Sequence, residues 1–358
     1  HCPHEHPALQ LWRAELARRD GDFEAARRAL EIPPSAPADA DTAEARSYLL
    51  AEVYDRLGEP QAAFRAAVAA NSLGAAGEAA RRIDRSAYRR QIALLTETFT
   101  PQWVAGWTPA PVTDTRADPV FLVGFPRSGT TLLDTLLRSH PDVVVVEEKP
   151  MVRVLEQAVS ALAGGYPGAL ADLDAAALAG LRTAYFAELS RHTAPVVSGQ
   201  LVVDKLPLNL AHAGLLQRVF PRSRFLLALR HPCDAVLSAY MRSFELNEAM
   251  VNFLDLEDAA GLYAAVMTLW RRYREVLPLP VYTVRYIAYY DRCGHPVYRY
   301  RTEPVRHRCR SSHYHRPVIR QNHYSSSRCG TPVRHSCGKP RGYTINRTHR
   351  GLSFSFYR

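Results

Sequence analysis

Between Phe121 and Leu133 an aliphatic run, Phe121-Leu122-Val123-Gly124, breaks into the turn Phe125-Pro126-Arg127-Ser128 and resumes after Gly129 as an apolar helical pattern. A strand that must turn into a helix over so few residues has few geometries open to it. Gly124 and Gly129 let the backbone approach closely whatever the turn encloses. Amides of the turn and of the first helical turn then point at one spot, which suits an anion. Arg127 adds a fixed cationic fork, and Ser128, Thr130 and Thr131 add hydroxyl donors. The spacing is G-x-x-x-x-G-T-T. A nucleoside-triphosphate loop reads G-x-x-x-x-G-K-[ST], so Thr130 stands where that lysine would be. A P-loop kinase or NTPase built on this turn would lack its main phosphate cation.

The surroundings predict an α/β domain over residues 119–286. Short β-branched or aliphatic runs at 119–124, 143–146, 201–203, 224–229 and 281–286 alternate with helical stretches, as in a central parallel sheet flanked by helices. Residues 1–92 are rich in Ala, Arg and Leu and read as all-helical. Two stretches there, 11–30 and 48–70, share a helix, Gly turn, helix plan, with Gly21 and Gly58 separated by 37 positions. That plan resembles the tetratricopeptide repeat, and a plain pair of helical hairpins is the other reading. Residues 93–118, with several Pro, Thr and Trp, read as a linker.

At Ile287 the composition changes. From there to Arg358 the chain holds fifteen Lys or Arg against two acids, leaving 30 basic and 33 acidic residues before Ile287. The net charge of +10 therefore belongs to this segment and not to a basic domain. One Leu and one Ala in 287–358 cannot build a core, so an atypical tail is expected there, disordered or the product of a frame shift. Four of the six Cys lie in it without any C-x-x-C pair, which favours neither a disulfide framework nor a zinc site. Nucleic acid is not an expected partner. No apolar run is long enough to span a membrane and no signal peptide opens the sequence, so the expected setting is cytoplasmic, with no membrane partner.

Pro126 to Leu133, with Gly129, Thr130, Thr131 and Leu132 in register, resembles the 5′-phosphosulfate loop of the sulfotransferase superfamily. The branch it is most similar to contains bacterial proteins with tetratricopeptide repeats and the protein-tyrosine sulfotransferases. The resemblance implies 3′-phosphoadenosine 5′-phosphosulfate as co-substrate, with no metal. It also implies donor contacts from Arg127, Ser128, Gly129, Thr130, Thr131 and Leu132. The run Arg224 to Ser238 is similar to the family's second motif, in which Arg230 and Ser238 would clasp the 3′-phosphate, and Tyr286 would complete the donor site. Glu148 would be the general base, with Glu147 as alternate. Lys205 would face the transferring group, and Arg127 would hold the phosphosulfate. After Tyr286 the sequence Ile287-Ala288-Tyr289-Tyr290 departs from the family pattern.

The expected activity is sulfuryl transfer to an acceptor hydroxyl on a protein (tyrosine among the candidates), a sugar or a small molecule. A protein partner could dock on the helical repeats. The alternatives are an inactive nucleotide-binding or protein-interaction scaffold, and a P-loop kinase or NTPase.

Overall fold

In the computed structural model the described residues are 6–33, 38–111, 114–290, 296–302, 344–348 and 351–355, with side chains described up to Arg285. The chain begins with two helical hairpins, α1 (Pro7–Arg19) with α2 (Phe23–Glu31), and α3 (Ala40–Leu57) with α4 (Pro60–Ala76). Gly21 and Gly58 stop α1 and α3 in the left-handed region, at φ 79° and 77°, where a side chain is disfavoured. Asp22 caps α2 by accepting from the Ala25 amide, and Pro60 starts α4 at a position whose N–H would have no helical partner anyway. Ala14, Ala26, Leu30, Leu49 and Val53 form the small core of this region.

The second hairpin packs on the rest of the chain. Asn71 is buried, accepts from the Tyr48 hydroxyl at 2.7 Å and donates to the Tyr240 carbonyl at 2.8 Å. Ala51 and Ala67 meet Tyr240 alongside it.

α5 (Glu78–Arg82), α6 (Ala87–Thr98) and α7 (Pro101–Ala105) follow. Much of the segment read as a linker over 93–118 is thus helical. Tyr88, Ile92, Leu95 and Phe99 repeat at helical spacing, and all four enter the main core of the α/β half. Thr100 caps α7 and Pro101 opens it, so the polar and Pro-rich composition marked a helix start. The stretch beyond is tied down too. Arg218 donates to the carbonyls of Thr108, Leu170 and Leu173, and lies over the Trp107 ring.

The α/β half runs β1 (Val120–Gly124), α8 (Thr130–Leu137), β2 (Val143–Glu147), α9 (Met151–Ser160), α10 (Gly165–Gly168), α11 (Ala175–Leu189), β3 (Leu201–Lys205), α12 (Ala213–Val219), β4 (Arg224–Leu229), α13 (Pro232–Tyr240), α14 (Leu256–Val276) and β5 (Val281–Tyr290). Strand order is β2-β3-β1-β4-β5, all parallel. β1 lies between a strand of each half, so the order reverses at its carboxyl end, the place where open parallel sheets leave a crevice. Alternate residues serve the two faces. Phe121, Val123, Phe225 and Leu227 enter the main core, while Leu122, Ala228 and Val203 pack under Leu133 and Leu136 of α8.

β5 continues four residues past its expected end, and β6 (Pro296–Thr302) pairs with it antiparallel. The β-prone run Ile287-Ala288-Tyr289-Tyr290 accounts for the extension. β7 (Thr344–Thr348) and β8 (Gly351–Ser355) form a separate antiparallel pair. The rest of the tail, its four Cys included, lies outside the described residues. Among the described residues no helix is long and apolar enough to cross a membrane.

Two predictions come from this core. Gly214 on α12 has no room for a side chain, because a Cβ would lie 2.2 Å from the Phe99 ring and 2.9 Å from Tyr273. Gly214→Ala should therefore lower stability by about 3 kcal/mol, the upper end for overpacking, read as a shift in the urea midpoint at constant slope. Asp204 on β3 is fully buried, and burial raises its carboxyl to about 7 despite the hydrogen bond from the Tyr185 hydroxyl at 2.8 Å. The unfolded chain gives up this proton near the ordinary value of about 3.9 while the folded chain keeps it. Stability should therefore fall as pH rises from about 4 to about 7, by at most about 4 kcal/mol from this group, and level off above. In Asp204→Asn that component should vanish, so the difference between wild-type and variant melting temperatures should change across this window and be flat above it.

Candidate functional site

Gly124 ends β1 at a crowded point. A Cβ there would lie 2.5 Å from the Ser128 hydroxyl oxygen and 2.6 Å from the Ala228 carbonyl on β4, so only glycine lets the turn fold back over the sheet. Two residues of the turn take left-handed backbone, Gly129 at φ 100° and Arg127 at φ 69°. For arginine this conformation costs about 1 kcal/mol or more, and strain of that kind gathers at binding sites. It aims the guanidinium across the crevice, where Nε donates to the Ser238 hydroxyl on α13 at 3.2 Å. The two motifs read in the sequence, 126 to 133 and 224 to 238, therefore meet side chain to side chain.

Ser128 is buried, and its hydroxyl has no hydrogen-bond partner among the described residues. A buried hydroxyl left without a partner is costly, and this one lies against Gly124 at the end of β1. Thr130 is buried in the first turn of α8, whereas Thr131 and Leu132 are exposed. Gly129 sits immediately before α8, so the amides that follow it in the first helical turn are the ones without helical partners, while the Ser128 amide donates to the Phe125 carbonyl at 3.1 Å.

Arg230, just past β4, donates to the Arg127 carbonyl at 3.3 Å and also lies 3.8 Å from the Asp234 carboxylate. Arg242, just past α13, completes a group of three. The Arg127 guanidinium is held below its usual range by burial first, then by the positive charges of Arg242 and Arg230. Such a gathering of cations suits an anion. Arg242 was not singled out in the sequence. Its only signal there is its place four residues beyond Ser238, one helical turn on. A pocket of about 190 Å³ opens here, bordered by Arg230, Ser238 and Arg242 on one side and by Ala51, Glu52 and Asp55 of α3 on the other. A wider concavity of about 430 Å³ lies at Pro60, Gln61, Phe64 and Arg65, on one helix, and gathers no such set of donors.

The second centre joins β2 and β3. Glu147 and Lys205 are register partners at the strand ends. Lys205 is fully buried, and its ammonium contacts Glu147 at 2.6 Å and Glu148 at 2.8 Å. A buried lysine stays charged only with such partners. Glu148 follows the strand in left-handed backbone, at φ 52°, held by its amide donating to the Lys205 carbonyl at 2.7 Å.

The two carboxylates differ. Glu147 is gripped from both sides, by Lys205 and, at 3.6 Å, by Arg138, which is itself paired to the buried Asp134. The Lys205 hydrogen bond holds the Glu147 carboxyl below its usual range. Glu148 is 55% exposed in its side chain and has Lys205 as its partner. Tyr286 lies on β5, but its side chain is outside the described residues.

Residues 119–291, just under half the chain, match the sulfotransferase family. The chain is 25% identical over 256 residues to an uncharacterized protein of Aquifex aeolicus, covering 68% of this chain and 32% of that one. It is 25% identical over 197 residues to protein-tyrosine sulfotransferase 2 of Gallus gallus, covering 51% of this chain and 50% of that one. The chain thus spans 32% to 50% of the length of these curated relatives. The crystal structure of sulfotransferase STF9 from Mycobacterium avium overlaps 77% of each chain at 15% identity, with a TM-score of 0.28, too low to bear on the fold. The segment of the chain that matches the sulfotransferase family begins one residue before β1 and takes in the turn, both groups of charged residues and β5.

Proposed function

We propose that this chain transfers a sulfuryl group from 3′-phosphoadenosine 5′-phosphosulfate to an acceptor hydroxyl. The observation that carries the reading is the convergence of Arg127, Arg230 and Ser238 around a turn whose buried Ser128 hydroxyl lacks a partner among the described residues. Arg127, the Ser128 and Thr130 hydroxyls and the amides that follow Gly129 at the start of α8 suit the 5′-phosphosulfate. Arg230, Ser238 and Arg242 suit the 3′-phosphate. Thr130 in place of the nucleoside-triphosphate lysine argues against the kinase alternative.

The acceptor oxygen bonds to sulfur as the bond from sulfur to the bridging phosphate oxygen breaks, and the acceptor proton passes to a carboxylate. Glu148 fits that role better than Glu147, because it is the more exposed and has fewer cationic partners. Lys205 counters the charge that grows on the leaving phosphate, its ammonium fixed beforehand by both carboxylates. The likeness to a protein-tyrosine sulfotransferase makes a tyrosine hydroxyl in a peptide the acceptor to test first.

Calorimetric titration with adenosine 3′,5′-bisphosphate should show saturable binding. In Arg127→Ala the affinity should drop roughly 10- to 100-fold, the loss of a charge-assisted contact. Failure of the folded wild-type chain to bind would sink the reading. With a radiolabelled donor and tyrosine peptides, Glu148→Gln should cut transfer by about a hundredfold or more while leaving bisphosphate affinity unchanged. Equal transfer by that variant would move the base elsewhere.

A further inference from the structure

The pocket assigned to the 3′-phosphate has one wall that does not come from the α/β half. Glu52 and Asp55 of α3 face Arg230, Ser238 and Arg242 across it. Glu52 is mostly buried, and its Oε2 takes a hydrogen bond from Arg242 at 2.6 Å. Its other oxygen lies 3.3 Å from Arg18 on α1. Arg18 already has a carboxylate of its own, Glu15, which accepts from its Nε at 2.9 Å. Much of the Glu52 charge is therefore left for Arg242. The same charge also acts on the Arg127 guanidinium, in the opposite sense to Arg242 and Arg230.

From this arrangement we infer that Glu52 is the internal counter-ion of the 3′-phosphate pocket, competing with the donor's phosphate for Arg242 and so setting donor affinity. The inference rests on the donor reading above. A phosphate dianion entering the pocket meets three cations, but it also meets a carboxylate that already occupies one of them. Partly buried charges at this spacing are only weakly screened, so the competition is not lost in salt. Coupling of this kind is reciprocal. A stronger Glu52–Arg242 pair weakens donor binding by the same factor by which bound donor weakens the pair. The helical region thereby enters the donor site through one side chain, 190 positions from its partner in sequence.

The test is calorimetric titration of the full chain with adenosine 3′,5′-bisphosphate, comparing wild type, Glu52→Gln and Glu78→Gln. The Glu52→Gln change keeps the size and an acceptor oxygen for Arg242 while removing the charge. Glu78 lies on α5, away from the pocket, and controls for net charge. Glu52→Gln should bind about three- to tenfold more tightly than wild type, with Glu78→Gln unchanged. Circular dichroism melts of all three confirm that folded chains are compared. Equal or weaker binding by folded Glu52→Gln overturns the inference and leaves the donor reading standing. Equal tightening in both variants also overturns it, reducing the effect to net charge. No binding by any of the three sinks the donor reading itself and this inference with it.

Discussion

At Gly124 the end of β1, the turn that follows it and the end of β4 come so close that no side chain fits between the Ser128 hydroxyl and the Ala228 carbonyl. That contact sets the geometry of the rest of the site. It folds the turn back over the sheet, which puts Arg127 into left-handed backbone and sends its guanidinium to Ser238. It leaves the Ser128 hydroxyl buried against Gly124, without a hydrogen-bond partner among the described residues. The turn sits where strand order reverses, between β3 on one side of β1 and β4 on the other, so residues from both halves of the sheet reach it without any long loop.

Both centres hold their cations in a compensated state. Lys205 is fully buried against Glu147 and Glu148, and the arginine group has Asp234 and Glu52 beside it, so each cation has a carboxylate to offset its desolvation. On the reading proposed above, charge fixed in this way spares reorganisation when a substrate arrives. The same arrangement distinguishes two adjacent acids. Glu147 is pinned in a chain running from Asp134 through Arg138 to Lys205, while Glu148 keeps a more exposed carboxylate.

The turn and the five parallel strands were legible in the sequence because each rests on local pattern, and the sequence also singled out Arg230 and Ser238, which border one pocket. Aliphatic runs mark strands buried on both faces, and glycines with hydroxyl residues mark an anion turn. Arg242 and Glu52 were not legible. Neither belongs to a motif, and their contact depends on α3 docking against α13, which no periodicity announces. The helices within 93–118 were hidden for a different reason. Thr100 and Pro101 look like loop residues in composition and are a helix cap and a first helical residue in place. The stripe from Tyr88 to Phe99 was readable at helical spacing, but its start inside the helical region concealed that it serves the α/β core.

The helical region is held on the α/β half by two kinds of contact that answer differently to charge. Asn71 bridges the Tyr48 hydroxyl and the Tyr240 carbonyl, and Ala51 and Ala67 pack on Tyr240. Ala80 packs on Val251 and Leu254 further along. None of these contacts involves an ionised group, so an anion in the pocket does not weaken them. Beside them, the Glu52–Arg242 pair is a charge contact that an anion can open. The neutral contacts hold α3 in place while the ionic one rearranges, so the pocket can exchange its internal counter-ion for a ligand without giving up its wall.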